Sequence, residues 1–197
     1  MAYEDEPMSD PAALPAPPPG GWTYADYAAL PDDGRRYEVL EGELVEMPSP
    51  RYAHQRVLGH VYRRVADHVE SQGLGDVVLA PMDVVLAERT VLQPDLLFIA
   101  HERLAIHDDA NVKGAPDLCV EILSPSNAAQ DRLRKAALYA RFGVAHLWIV
   151  DIEARSIEEY VLDGEAYRAR SVTSFDAEFR PALFPGLAIR LGERLAP

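Results

Sequence analysis

Val91-Leu92-Gln93-Pro94-Asp95-Leu96-Leu97-Phe98-Ile99 and Asp117-Leu118-Cys119-Val120-Glu121-Ile122-Leu123-Ser124-Pro125-Ser126 are the two stretches whose reading decides the fold. Each is an apolar run bounded by proline and polar residues, the pattern of a strand covered on both faces. Each also carries one carboxylate, Asp95 or Glu121. An ionised acid in such a run costs several kcal/mol, roughly, unless it is paired or binds a metal. Two such acids on neighbouring strands can chelate one divalent cation, which points to metal-dependent hydrolysis.

Working outward, Thr23 to Leu30 predicts a short helix capped by Thr23 and stopped by Pro31. Arg36 to Met47 alternates as a hairpin turning at Glu41-Gly42. Residues 53–71 have helical periodicity, with Val57, Leu58, Val61, Val65 and Val69 on one face and Gly73 as the stop. Val77–Leu86 and Val91–Ile99 read as an antiparallel pair of strands joined near Ala87-Glu88-Arg89, and 101–116 as a polar connection with a helical turn at Glu102–Ile106. Leu118–Leu123 is a strand, Asn127–Phe142 a helix with an Asn127/Gln130 capping box, and Ala145–Asp151 a further buried strand. Residues 156–170 form a hairpin turning at Asp163-Gly164, with a C-terminal extension beyond. The order implies an α/β domain built on a mixed sheet, with a right-handed crossover from strand 118–123 to strand 145–151.

The 197 residues fit one domain spanning 21–197, behind a Pro-rich acidic tail, 1–20, whose composition cannot build a core and predicts disorder. With 48% hydrophobic residues the chain can bury a proper core. No apolar run is long enough to span a bilayer, and no secretory signal is visible, so a cytoplasmic protein that does not enter membranes is expected. Cys119 is the lone cysteine, which excludes an internal disulfide and a cysteine-based zinc site. The net charge of −13 argues against a protein that coats nucleic acid electrostatically, though a local basic patch can still guide phosphate.

Asp95 and Glu121 stand 26 positions apart, enough for one connection between adjacent strands. Together they suit Mg²⁺ or Mn²⁺, since Mg²⁺ keeps several waters and takes only one or two protein carboxylates. A backbone carbonyl beside Glu121, that of Ile122, can add a ligand. The competing reading is that each acid sits at a strand end and hydrogen-bonds a loop. Arg56, His60 and Arg63 share one face of helix 53–71, either as phosphate contacts or as a solvated face, and Arg132, Arg134 and Arg141 admit the same two readings. Cys119 reads as a small buried hydrophobe, and Tyr139 and Trp148 as core or interface residues.

Tyr37-Glu38-Val39-Leu40-Glu41-Gly42-Glu43-Leu44, Pro94-Asp95 and the block Gly114 to Ser126 resemble the Uma-two family, as do Lys135, Tyr139, Gly143-Val144 and Trp148-Ile149-Val150-Asp151. That family is a branch of the PD-(D/E)xK restriction-endonuclease-like superfamily. The resemblance covers roughly 22–192 and implies a restriction-endonuclease-like core, a divalent metal at the open end of its sheet, and DNA phosphodiester hydrolysis. Asp95 takes the place of the motif's aspartate and Glu121 that of its second acid. The superfamily's lysine position, two residues after the second acid, holds Leu123, and the resemblance points instead to Lys135 on the following helix. Without it, Lys135 reads equally as the partner of Asp131 in a helix-surface ion pair. Glu38 completes the acid set, with Glu43 as the alternative. His54 falls where the family carries histidine and is suited to phosphate binding or proton transfer, against a capping or surface role.

Three functions follow as expectations: a metal-dependent endonuclease acting on DNA, an inactive binding or regulatory module on the same fold, and an interaction protein, a homodimer pairing through hairpin 156–170.

Overall fold

The computed structural model describes residues 15–123 and 128–192, with the side chains of the last helix described from 132 onward. Helix α1 (Tyr24–Ala28) starts at Thr23, whose hydroxyl accepts from the Asp26 N–H while the Asp26 carboxylate accepts from the Thr23 N–H. The hairpin β1 (Arg36–Leu40) and β2 (Glu43–Met47) follows. Its turn residues Glu41 and Gly42 both take positive φ, 53° and 87°, as a two-residue turn of matching twist requires. Helix α2 (Tyr52–Gln72) buries Val57, Leu58, Val61, Val65 and Val69, the predicted stripe, and ends on the left-handed Gly73.

The two long apolar runs after α2 correct the sequence reading. Each is two strands, β3 (Gly75–Leu79) and β4 (Asp83–Ala87), then β5 (Thr90–Leu92) and β6 (Leu96–Ala100). They do pair antiparallel, but β3 with β6 in one sheet and β4 with β5 in another. Pro81 and Pro94 stand in the gaps, and neither has an N–H to donate to a ladder. A 3₁₀ turn at His101–Ile106 lies where the helical turn was expected, and the polar connection adds a short strand, β7 (Asn111–Lys113), parallel to β4. Strand β8 (Leu118–Leu123), helix α3 (Ala128–Arg141) and strand β9 (His146–Asp151) form the crossover, with β8 and β9 parallel. The Asn127/Gln130 capping box lies outside the described residues. The hairpin β10 (Ser156–Asp163) and β11 (Ala166–Ser174) completes the strands.

Two sheets result, with orders β2-β1-β5-β4-β7 and β11-β10-β9-β8-β6-β3. The second is the central one. Leu118, Val120 and Ile122 of β8, with Trp148 and Val150 of β9, pack toward α2 and a C-terminal layer of Phe175, Phe179 and Phe184. Cys119, Leu147 and Ile149, one residue out of phase, pack toward α3 through Leu138 and Tyr139. Both faces are covered, so the runs read as continuously apolar. Each of these buried large side chains contributes about 1.5–3 kcal/mol. The C-terminal extension is therefore part of the core.

Gly75 opens β3 with φ 146°, and a Cβ there would lie 2.0 Å from the Ile99 carbonyl oxygen. Backbone cannot yield cheaply, so Gly75→Ala is expected to cost on the order of 1–3 kcal/mol. Urea unfolding of the variant beside the parent checks this.

Candidate active site

The break at Gln93-Pro94 releases the chain from the first sheet and delivers Asp95 to the start of β6 in the second. Leu96 pairs with Val120 and Leu97 with Cys119, so one step further Asp95 falls opposite Glu121. Opposed residues project from the same face, with Cβ atoms about 5 Å apart. That face is the one α3 covers. Asp95, Glu121 and Ile122 line a cavity of about 400 Å³, as do His54 and Lys135.

Asp95 is held from two sides. Its Oδ2 accepts from the Ile122 N–H at 2.7 Å and lies 3.2 Å from His54 Nε2. His54 sits in the first turn of α2, 8% exposed, and its Nδ1 has no hydrogen-bond partner among the described residues. The Ile122 contact shown is through its N–H.

Glu121 Oε1 accepts from the Tyr139 hydroxyl at 2.6 Å, and Glu121 Oε2 lies 3.7 Å from Lys135 Nζ. Burial pushes the Glu121 carboxyl up to about 8, against the pull of Lys135, and the charges of Asp95 and Glu38 add to the rise. The site thus binds a proton where a cation would relieve the same crowding.

Lys135 comes from α3, yet it is 4% exposed and turned inward. Its ammonium lies 2.9 Å from Glu38 Oε2, and Glu38 is fully buried on β1. Strand alternation explains the aim of Glu38, because Tyr37 and Val39 pack toward α1 while Leu40, on the Glu38 face, packs toward α3. Glu38 Oε1 accepts from the Gln93 N–H at 2.7 Å. The Gln93 amide in turn takes Arg36 on its oxygen and reaches Tyr27 and Asp83 through its nitrogen. A chain of hydrogen bonds thus runs from the first sheet to the residue before Pro94.

Asp95, Glu121, Lys135, Glu38 and His54 therefore come together. Glu43, the alternative third acid, lies at the cavity's exposed rim and pairs with Arg134 at 2.7 Å. Arg132 and Arg134 also reach the cavity, whereas Arg56, His60 and Arg63 do not line it, and Arg141 pairs with Glu41. Sequence reasoning read Tyr139 as a core or interface residue, though one of those carrying the family resemblance, and passed over Gln93 and Arg36. The signal for Tyr139 was its spacing, four residues after Lys135 on the same helix face.

Among the described residues no group of three or more His, Cys, Asp and Glu side chains is arranged to hold a metal. Two opposed carboxylates with an adjacent backbone are nevertheless a fitting donor set for a hard cation that keeps its waters.

Residues 24–192 match the model of the Uma2 family, described as "Putative restriction endonuclease". The chain belongs to this family. The Uma2 chain also aligns with the crystal structure of a "putative nuclease" from Anabaena variabilis ATCC 29413, with a TM-score of 0.72 at 18% identity. The alignment covers 88% of this chain and 96% of that one. The shared feature is the fold, a restriction-endonuclease-like mixed α/β arrangement. No curated protein matches the Uma2 chain. No described helix is long and apolar enough to cross a membrane.

Two outcomes are expected from the buried charges. Glu38→Leu removes the acid 2.9 Å from the buried Lys135 ammonium and should cost about 3–5 kcal/mol, while adding Lys135→Met should recover much of it. A double-mutant cycle in urea measures this. Glu121 holds its proton more tightly folded than unfolded, so stability is expected to fall as pH rises from 4.5 toward about 8. Glu121→Gln should flatten that decline, on the order of a few kcal/mol, when unfolding is followed from pH 5 to 8.5.

Proposed function

We propose that this chain is a metal-dependent endonuclease that hydrolyses phosphodiester bonds in DNA. The observation that carries the reading is the opposition of Asp95 and Glu121 across β6 and β8, with Lys135 3.7 Å from Glu121 in the same cavity. Family membership and the Anabaena variabilis neighbour's description support the reaction class.

Asp95 and Glu121 would hold Mg²⁺ or Mn²⁺, with the Ile122 carbonyl as a further ligand. When bound, the cation supplies charge that stabilises the phosphoryl oxygens and acidifies the attacking water. The remaining work belongs to the chain. Ile122 and His54 fix Asp95 through Oδ2, which leaves Oδ1 as the oxygen to offer. Tyr139 fixes the orientation of Glu121 in the same way. The Lys135 ammonium stabilises negative charge as it grows on the phosphate and orients the nucleophilic water, and Glu38 offsets the cost of keeping that ammonium buried. His54 would act through its contact with Asp95, holding that acid in place. On this reading Lys135 would take the role that Leu123 cannot fill.

A second reading, a binding module on the same scaffold without turnover, is favoured by one observation. Glu38 holds Lys135 at 2.9 Å, closer than Glu121 does. Cleavage of single-stranded, flapped and blunt-duplex oligonucleotides in Mn²⁺ separates the two. Cleavage should vanish in EDTA and fall by about 10²–10³ in Asp95→Ala and Lys135→Ala. Tyr139→Phe should lose less, since it orients an acid and does not replace one. Folded protein with no cleavage of any nucleic acid would favour the second reading.

A further inference from the structure

The site is recessed. The Asp95 and Glu121 side chains are each 14% exposed, and Lys135 and Glu38 lie deeper still. Part of the lining is apolar, supplied by Leu40 from β1 and by Val45 and Met47 from β2, with Glu43 and Glu46 of β2 also at the cavity. A cavity of about 400 Å³ is the size of a small-ligand pocket, not of a cleft that admits a base-paired helix.

Among the described residues, the cations at the cavity are few and already engaged. Arg134 bonds Glu43 and the Leu40 carbonyl, Arg132 bonds Glu158 and Tyr160, and Arg36 bonds Gln93. A grip on duplex DNA typically neutralises about 6–10 phosphates. Three tethered guanidiniums on a chain of net charge −13 suit a much shorter run of backbone. A cavity that combines acids able to hold a cation for phosphate with apolar side chains is a lining that can receive an unstacked nucleotide, whose base packs against the apolar part.

We infer that the cavity takes one unpaired nucleotide within a single-stranded polynucleotide or a flap, and does not act on intact duplex. Its phosphate lies at the Asp95–Glu121 wall and its base against Leu40, Val45 and Met47. The inference rests on the phosphodiesterase reading and names the substrate class of that same site. Both DNA and RNA offer this chemistry, since the contacts are to phosphate and base.

Fluorescence anisotropy in Ca²⁺ buffer tests it, using a labelled single-stranded oligodeoxynucleotide, the oligoribonucleotide of the same sequence, a blunt duplex and a duplex with an unpaired flap. Single strands and the flapped duplex should bind at least about tenfold more tightly than the blunt duplex. Val45→Trp, which fills the apolar part of the cavity wall, and Met47→Glu, which sets a carboxylate in it, should each weaken single-strand binding about tenfold. Both substitutions lie on the half-buried side of β2, and circular dichroism establishes that each variant is folded. The DNA and RNA arms identify which strand is preferred. Equal binding of blunt duplex, no binding at all, or indifference to both wall variants would overturn the inference. Cleavage of the same four oligonucleotides in Mn²⁺ keeps the two claims apart. Wall-dependent binding without cleavage would sink the hydrolysis reading and leave the occupant standing. Efficient cutting of blunt duplex would do the reverse.

Discussion

A lysine ammonium sits 4% exposed on the inner face of α3, and the rest of the site depends on how that charge is accommodated. Burying it alone would cost several kcal/mol, about the whole margin of many folds. Glu38, fully buried on β1, lies 2.9 Å away and offsets that cost. This contact ties the first sheet to the crossover helix of the second. The backbone bond from Gln93 to Glu38 extends the tie to the residue before Pro94. The chain can leave the first sheet there because proline ends the ladder, and Asp95 arrives opposite Glu121 as a consequence. Positioning and stability are thus served by the same few contacts.

The electrostatics of the group are uneven. Among the described residues, Glu38 has its counterion close, whereas Glu121 has Lys135 at 3.7 Å and a phenol that donates one hydrogen bond. Burial, with the charges of Asp95 and Glu38 adding to it, pushes the Glu121 carboxyl up to about 8. A carboxylate kept short of countercharge, facing a second carboxylate, is costly to a protein that only needs to fold. It is well suited to one that exchanges a proton for a cation. That contrast is the reason to read Glu121 as functional and Glu38 as its support.

Much of this was legible in the sequence, and the parts that were not have identifiable causes. The α2 stripe, the Glu41-Gly42 turn and the β8–α3–β9 crossover follow from local periodicity and glycine placement, which leave their mark residue by residue. The opposition of Asp95 and Glu121 was readable because two doubly covered strands with one connection between them pair as neighbours. The division into two sheets was not, because an apolar run looks the same whether one sheet or two receives it. Pro81 and Pro94 marked the breaks, but run length outweighed them. Tyr139 was hidden for the opposite reason, since a buried tyrosine on a helix is ordinarily core. Only its partner Glu121, eighteen residues away in sequence, makes it part of the site.

The central claim is that Asp95 and Glu121 exchange a proton for a divalent cation. Calorimetric titration of Mn²⁺ at pH 7, repeated in two buffers of different ionisation enthalpy, tests it most directly. The account predicts binding accompanied by release of close to one proton, with the release abolished in Glu121→Gln and binding lost in Asp95→Ala. Folded protein that binds no Mn²⁺, or binds it with no proton released and no response to either substitution, would contradict it.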